Sequence, residues 1–164
     1  MKLKTNSLER LLMPSHFGDA GYDIVANSSP KIVGSEVLKN YYNRIDYIEY
    51  DTDLIIAPDW GVHTYVFPRS SVSKTNLILA NSVGLIDNEY RGTVKLRFKY
   101  IMQPSDLSII DGNIVCEVNL ETIYDKGDKI GQLVFAPTII LDLETTDKFE
   151  LTSRNEGGFG STGI

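Results

Sequence analysis

Short segments in which apolar and polar residues alternate recur along the chain, and this two-residue period restricts the fold more than any other feature of the sequence. In VKLRF, Val94, Leu96 and Phe98 alternate with Lys95 and Arg97, which is typical of a strand with one buried and one solvated face. The segments VHTYVF, LILAN, IVCEVNL and GQLVFAP have the same character. The chain also contains 39 Ile, Val and Thr residues against five Ala, a ratio that favours strands over helices. The sequence therefore predicts an all-β protein, either a barrel or a double-sheet roll.

The residues between these segments have the chemistry of turns. Asp111-Gly112-Asn113 and Lys126-Gly127-Asp128 separate apolar runs as hairpin or loop connections do. One segment, SEVLKNYYNRIDYIEY, departs from the two-residue period because its apolar residues are spaced as on one face of a helix. We expect a short helix or an irregular insert there, with the apolar positions Val37, Leu38, Tyr41, Tyr42, Ile45 and Ile48.

Size and charge limit the possible functions. A chain of 164 residues with no internal repeat or low-complexity linker is expected to form one domain. Its formal net charge of -6 argues against the broad basic surface that non-specific binding to nucleic acid or an anionic membrane needs. No stretch approaches the roughly 20 apolar residues of a membrane span, and the N-terminus lacks the apolar core of a signal peptide. We therefore expect a soluble, cytoplasmic protein that meets any anionic ligand through a few placed groups.

Cysteine and histidine are too few for several common chemistries. Cys116 is the single cysteine and lies in an alternating apolar stretch, so it is expected to be a small buried hydrophobe. His16 and His63 cannot form a cluster with zinc-ligand spacing, and neither lies in a motif that would activate a Ser or Cys nucleophile.

Three segments contain residues that could carry chemistry. The C-terminal TSRNEGGFGSTGI offers backbone N–H groups for phosphate oxygens, with Arg154 as a charged donor and Phe159 as a stacking surface, although such termini are often only mobile. PRSSVSK places Arg69 and two hydroxyls after a Pro that ends a strand, although an ordinary hairpin corner has the same composition. In ANSVGLIDNEYRGTV, Asp87 either acts on a ligand or caps its own turn.

Taken in order, five segments resemble the five motifs of the homotrimeric dUTPases, the dUTP pyrophosphatases. They are DAGYDI at 19–24, PRSS at 68–71, NSVGLIDNEYRG at 81–92, GDKIGQLVF at 127–135 and RNEGGFGSTG at 154–163. The resemblance covers nearly the whole chain. It implies a distorted jelly-roll-like β-barrel at residues 1–153, with a mobile C-terminal arm at 154–164 that closes an active site shared between three subunits.

The resemblance also implies the site residues. Asp23 would hold water molecules on a magnesium ion, and Asp87 would be the catalytic base or water-orienting group. The phosphate-binding set would be Arg69, Ser70, Ser71, Gln132, Arg154, Gly160, Ser161 and Thr162. The nucleoside-binding set would be Asn81, Gly84, Leu85, Ile86, Asp87, Tyr90 and Phe159, and Lys95 is added to the substrate-binding residues.

The implied reaction is magnesium-assisted hydrolysis of dUTP to dUMP and pyrophosphate, which keeps uracil out of DNA and supplies dUMP for thymidylate synthesis. It needs an oriented water and no protein nucleophile, in keeping with a chain that has no activated Cys or Ser. The related dCTP deaminase is an alternative, but it needs a Glu on the strand that here reads VKLRF. A nucleotide-gated regulatory binding protein is a second alternative.

Some positions depart from the family pattern. Ser71 and Gly131 stand where Gly and Ala are frequent, and Asn155 replaces a usual Gly. If that position needs a positive φ, Asn is the least costly substitute. Residues 24–67 and the connection YIMQPSDLSIIDG are longer than usual, and we expect surface decoration there or a surface for a further protein partner.

Overall fold

The computed structural model of this chain describes residues 2–153 and 155–156, and this part forms β-strands joined by loops and three short 3₁₀ turns. The strands are β1 Leu3–Thr5, β2 Leu11–Leu12, β3 Tyr22–Val25, β4 Lys31–Leu38, β5 Tyr41–Asp51, β6 Ile56–Pro58, β7 Val62–Phe67, β8 Leu77–Leu79, β9 Gly84–Ile86, β10 Lys95–Tyr100, β11 Leu107–Ile110, β12 Asn113–Glu117 and β13 Lys129–Pro137. The 3₁₀ turns are Ser70–Lys74, Pro104–Asp106 and Leu120–Thr122. The all-β prediction is confirmed.

Two antiparallel sheets build most of the fold. One has the order β11-β12-β5-β10-β8, and β4 also pairs with β5 outside this order. The second has the order β2-β3-β13-β7-β9. A separate two-stranded pair joins β1 to β6. The second sheet positions the site, because β3, β7, β9 and β13 carry or adjoin most of the residues that the five motifs single out.

The core lies where the apolar faces of these strands meet. Val94, Leu96 and Phe98 are buried while Lys95 and Arg97 are exposed, as the alternation predicts. The buried inner face of the second sheet includes Ile24, Ile130 and Leu133. Burial of these side chains, at about 25 cal/mol per Å² of apolar surface, is the main force that holds the strands in register.

The helix prediction for SEVLKNYYNRIDYIEY is wrong, because the segment belongs to the β4–β5 hairpin. Leu38 pairs with Tyr41, so residues 39 and 40 form a two-residue turn, and Asn40 has a φ of 68°. The register shifts between Val33 and Gly34 and at two later points in β4. Such irregularities interrupt the two-residue period and leave apolar spacings that imitate a helix.

Other details of the sequence analysis are confirmed. Asp111 and Gly112 form the turn of the β11–β12 hairpin with φ values of 49° and 78°, and Cys116 is buried. The two longer segments contribute hairpins: residues 31–51 form β4 and β5, and the connection before motif four supplies β11. None of the helical segments in the described part of the chain is long and apolar enough to cross a membrane.

Candidate active site

Asp23 lies on β3 beside β13, and three side chains converge on its carboxylate. Its register partner Gln132 donates from Nε2 to Oδ1 over 3.2 Å. Lys129 Nζ lies 3.0 Å from Oδ2, and Arg69 Nε lies 2.8 Å from Oδ1. The Arg69 N–H is not aligned for a hydrogen bond, so this contact is an ion pair. The structure thus brings together predicted residues of motifs one, two and four, and it adds Lys129.

The charge of Asp23 is stabilised by these neighbours. Partial burial by itself raises the pKa of a carboxyl group, but hydrogen bonds from Lys129 and Gln132 and the positive charge of Arg69 outweigh burial here. The pKa of Asp23 therefore lies below its ordinary value of 3.8, and the side chain is a carboxylate at neutral pH.

Arg69 and Ser71 contribute to a pocket beside this cluster. Pro68 follows the last residue of β7, and the chain then enters the 3₁₀ turn Ser70–Lys74, which leaves Ser70 exposed. Arg69, Ser71 and Lys129 line the pocket together with Lys74 and Tyr124. Ser71 Oγ and the Tyr124 hydroxyl are buried beside each other there, and neither has a further hydrogen-bond partner among the described residues. Cationic side chains beside two buried hydroxyls suit an anion such as phosphate.

A separate pocket of about 450 Å³ lies between β9 and β10. Every residue that the resemblance assigns to motif three lines it, and so does Lys95: Asn81, Gly84, Leu85, Ile86, Asp87, Tyr90 and Lys95. The wall on β10 consists of Lys95, Leu96 and Arg97, and Val94 lines the pocket just before this strand. It therefore offers no carboxylate where a dCTP deaminase needs its Glu.

β9 forms the edge of its sheet, where it pairs with β7 alone. An edge strand has N–H and C=O groups that its own sheet does not pair, and these can bind the edge of a flat ligand. Gly84 allows β9 to lie close to β7, because a Cβ there would stand 3.0 Å from Val66 Cβ. The outer backbone groups of β9, which its own sheet does not pair, therefore lie at the pocket wall.

The loop after β9 holds Asp87 at the pocket. Asn88 Nδ2 donates to the carbonyl oxygens of Asp59 and Val62 over 2.8 and 2.9 Å, which ties this loop to the start of β7. Asp87 is exposed, and its carboxylate has no hydrogen-bond partner in residues 2–153 and 155–156. The alternative role of Asp87 as a cap of its own turn is therefore not observed. Asn88 is a residue that the sequence analysis missed, since its contacts come from distant positions.

Tyr90 closes one end of the same pocket. Its ring lies over Gly92, where an added Cβ would overlap the phenol group, and its hydroxyl donates to the Thr93 carbonyl over 3.2 Å. Lys95 is exposed at the rim and forms an ion pair with Asp51, at 3.3 Å from Oδ2. It can meet a ligand only if it leaves or shares this carboxylate.

The predicted residues of motif five, namely Arg154, Phe159, Gly160, Ser161 and Thr162, lie outside the described residues. Asn155 is described and has a φ of 40°, which is the left-handed conformation expected if Asn replaces Gly there.

The described residues suit magnesium bound through water. No three His, Cys, Asp or Glu side chains in residues 2–153 and 155–156 lie close enough to form a metal cage. Magnesium seldom uses such a cage, because it keeps several waters and binds one or two carboxylates together with substrate phosphates. The ionised Asp23, beside the anion pocket, fits this type of ligation.

Fold and site together define a class of protein. It is an antiparallel β-barrel with basic and hydroxyl groups that suit an anion in one pocket and an edge strand that suits a flat ring in another, and a nucleotide combines both chemical features.

Comparison with known proteins identifies the family. The dUTPase family model matches residues 9–163. The deoxyuridine 5'-triphosphate nucleotidohydrolase of Desulfitobacterium hafniense is 38% identical over 71% of this chain and 68% of its own length. The namesake from Dinoroseobacter shibae is 31% identical over 94% of this chain and 90% of its own. The chain therefore belongs to the dUTPase family, which confirms the resemblance carried by the five motifs.

Solved structures agree on the fold. The dUTPase of Staphylococcus bacteriophage 80alpha with dUPNHPP superimposes with a TM-score of 0.72 at 24% identity, over 99% of both chains. The dUTPase of phage phi11 of S. aureus gives 0.62 at 26% identity, over 92% of this chain and 99% of that one. The jelly-roll-like character of the barrel is confirmed.

Proposed function

We propose that this protein hydrolyses dUTP to dUMP and pyrophosphate, and so keeps uracil out of DNA while supplying dUMP for thymidylate synthesis. The observation that carries the proposal is the edge-strand pocket at Gly84–Ile86, with Asp87 and Tyr90 at its ends. The curated relatives are named as deoxyuridine 5'-triphosphate nucleotidohydrolases, which supports the same substrate.

Uracil is recognised in this proposal by backbone groups of Gly84, Leu85 and Ile86 together with the Asn81 amide. The outer edge of β9 supports this role, because a base edge can pair with it as a further strand would. A narrow pocket here would leave no room for the methyl group of thymine. Tyr90, stacked beneath deoxyribose, would leave no room for a ribose 2'-hydroxyl.

The phosphates bind, in the same proposal, to Arg69, Ser70, Ser71 and Gln132. The buried Ser71 hydroxyl supports this assignment, since apart from the Tyr124 hydroxyl no described residue offers it a partner, and a phosphate oxygen would supply one. Arg69 supplies charge and a planar fork of donors. These phosphate-binding residues and the edge-strand pocket lie in two separate pockets of one chain. This separation supports a homotrimer in which one site combines segments of different subunits.

Asp87 acts on the attacking water. Its exposed carboxylate has no intramolecular partner among the described residues, so it is available to accept a proton. The water oxygen forms a bond to the α-phosphorus as the bond from that phosphorus to the bridging oxygen breaks. Pyrophosphate leaves, and the proton passes to Asp87.

Magnesium, held through water by Asp23, would neutralise charge on the triphosphate. A mutant of the phage phi11 dUTPase has been described with a structural Mg(II) ion. In the proposed arm at 154–164, Arg154 would bind the terminal phosphate and Phe159 would cover uracil. Gly160, Ser161 and Thr162 would close over the phosphates and exclude water.

The decisive experiment is pyrophosphate release from dUTP beside dTTP, dCTP and UTP, each with magnesium. Fast release from dUTP alone is expected. Release of ammonia from dCTP would instead establish the deaminase, and equal rates with all four nucleotides would refute the edge-strand recognition.

A regulatory role remains a second candidate because the β11–β12 hairpin exposes Leu107, Ile109 and Ile114. A protein partner that binds this hairpin only when a non-hydrolysable dUTP analogue is present would support it. A partner indifferent to the nucleotide would contradict a nucleotide switch.

A further inference from the structure

Lys129 reaches Asp23 because β13 contains a bulge. The register pairs Lys129 with Val25, Gly131 with Ile24 and Gln132 with Asp23, so Ile130 is an extra residue. In a regular strand, residues 129 and 132 would point to opposite faces. Here Ile130 and Gly131 are buried in succession, and Lys129 and Gln132 both reach the carboxylate. Bulges next to active sites redirect side chains in this way.

The bulge is held by close packing at Gly131. A Cβ at this position would stand 2.6 Å from Leu96 Cδ2 and 3.2 Å from the Phe67 carbonyl oxygen. The backbone of β13 therefore lies against the core and against the end of β7. Lys129 therefore extends from a tightly packed strand and not from a loop.

Lys129 and Arg69 meet different oxygens of Asp23. Arg69 and Gln132 contact Oδ1, whereas Lys129 contacts Oδ2 at 3.0 Å. Arg69 and Lys129 both line the anion pocket, and the contact of Arg69 with Asp23 uses only Nε, so its other guanidinium N–H groups can meet a phosphate there. Lys129 and Gln132 each hold one carboxylate oxygen of Asp23 independently of Arg69.

We propose that Lys129 is a positioning residue that fixes the Asp23 carboxylate for water-mediated magnesium while Arg69 binds phosphate. This inference rests on the proposed function. Outer partners that orient a metal-binding carboxylate typically account for 10- to 100-fold in metal affinity or activity. An ordinary exposed ion pair would instead contribute little and would leave the magnesium dependence unchanged.

The test compares Lys129→Met and Lys129→Arg with the wild type and with Lys126→Met. Lys126 is exposed and belongs to the loop before β13, and its replacement by Met removes the same charge as Lys129→Met. Turnover of dUTP is measured over a range of magnesium concentrations, and melting temperatures verify folding. Binding of a non-hydrolysable dUTP analogue is measured by calorimetry with and without magnesium, which gives a readout independent of turnover.

For Lys129→Met we expect the magnesium concentration at half-maximal turnover to rise by about 10-fold or more. We also expect this variant to lose most of the gain in analogue affinity that magnesium gives the wild type. Lys129→Arg keeps the charge and should stay within about threefold of the wild type, and Lys126→Met should match it.

Three outcomes would overturn the inference. Magnesium dependence in Lys129→Met equal to that in Lys126→Met would show that the contact is only a surface ion pair. An equal loss of analogue affinity with and without magnesium would make Lys129 a phosphate ligand. A wild-type protein that does not hydrolyse dUTP would refute the proposed function itself, and the inference with it, so the two failures are distinguishable.

Discussion

Arg69 Nε lies 2.8 Å from Asp23 Oδ1, and their side chains are 29% and 14% exposed. A half-buried ion pair is screened less than one on the surface, so it couples the turn after β7 to β3. The residue proposed to bind phosphate and the carboxylate proposed to hold magnesium are therefore linked before any ligand is considered. The contact uses only Nε of Arg69, so the other guanidinium N–H groups remain for a ligand.

The ion pair predicts how stability depends on pH. Because the folded-state pKa of Asp23 is lowered, the carboxylate stabilises the fold above its ordinary value of 3.8, and this contribution is lost as pH falls below 3.8 through the folded-state pKa. Asp23→Asn also leaves Arg69 and Lys129 without their shared anion. We therefore expect the variant to be less stable than the wild type at pH 7.

Urea unfolding of both proteins at pH 7, 5, 4 and 3 checks this prediction. The difference in free energy of unfolding should be constant from pH 7 to 5 and should shrink below pH 4. A difference that stays the same at pH 3 would contradict it, because an uncharged Asp23 would then be as effective as the carboxylate.

Asp87→Asn should lower turnover of dUTP by about 100-fold or more, since the amide cannot take the proton of the attacking water. Affinity for a non-hydrolysable analogue should change little. The matched control is Glu89→Gln, which neutralises an exposed acid in the same loop. If Asp87→Asn turns over dUTP as fast as that control, Asp87 is not the base.

Tyr90 is expected to determine the choice between dUTP and UTP. Tyr90→Ala removes the ring and should raise the kcat/KM for UTP relative to dUTP by about 10-fold or more, on the scale of discrimination by a shaped pocket. Tyr90→Phe loses only the 3.2 Å hydrogen bond to Thr93 and should keep the wild-type preference. Equal preferences in all three proteins would assign sugar discrimination to another residue.

Asn88→Ala should destabilise the protein by about 1 kcal/mol, because it leaves the partly buried Val62 carbonyl at the start of β7 without its donor and also removes an exposed bond to the Asp59 carbonyl. Urea unfolding measures this loss. Asn113→Ala serves as control, since Asn113 makes only a local bond to the Asp111 carbonyl. A similar loss in both variants would mean that Asn88 does not tie the loop to β7.

The alternation of apolar residues was sufficient to predict the strands around Val94–Phe98 and Val62–Phe67, because each of these strands has one regular buried face. It failed in the β4–β5 hairpin, where bulges shift the register and Gly34 lies against the Arg44 carbonyl. The same limitation explains the missed Lys129. The bulge that turns it towards Asp23 depends on packing against Leu96, a residue more than 30 positions away, and a local pattern contains no such information.

The resemblance assigns some motif residues to the phosphates and others to the nucleoside, and residues of the two assignments line different pockets. Asn81, Gly84 and Asp87 line one pocket, whereas Arg69 and Ser71 line another. The order of motifs along the chain does not reveal this separation, because it depends on which strands become neighbours.

Deletion of residues 154–164 tests the remaining part of the proposed site. The described core is held by β3, β7, β10 and β13, so the truncated protein should melt within a few degrees of the wild type. Most turnover should be lost, because closure of an arm excludes water and completes the phosphate-binding groups. Affinity for dUMP should fall less than affinity for a triphosphate analogue, since Arg154 is assigned to the terminal phosphate. Full turnover after deletion would remove the arm from catalysis, and an unfolded product would instead place these residues in the core.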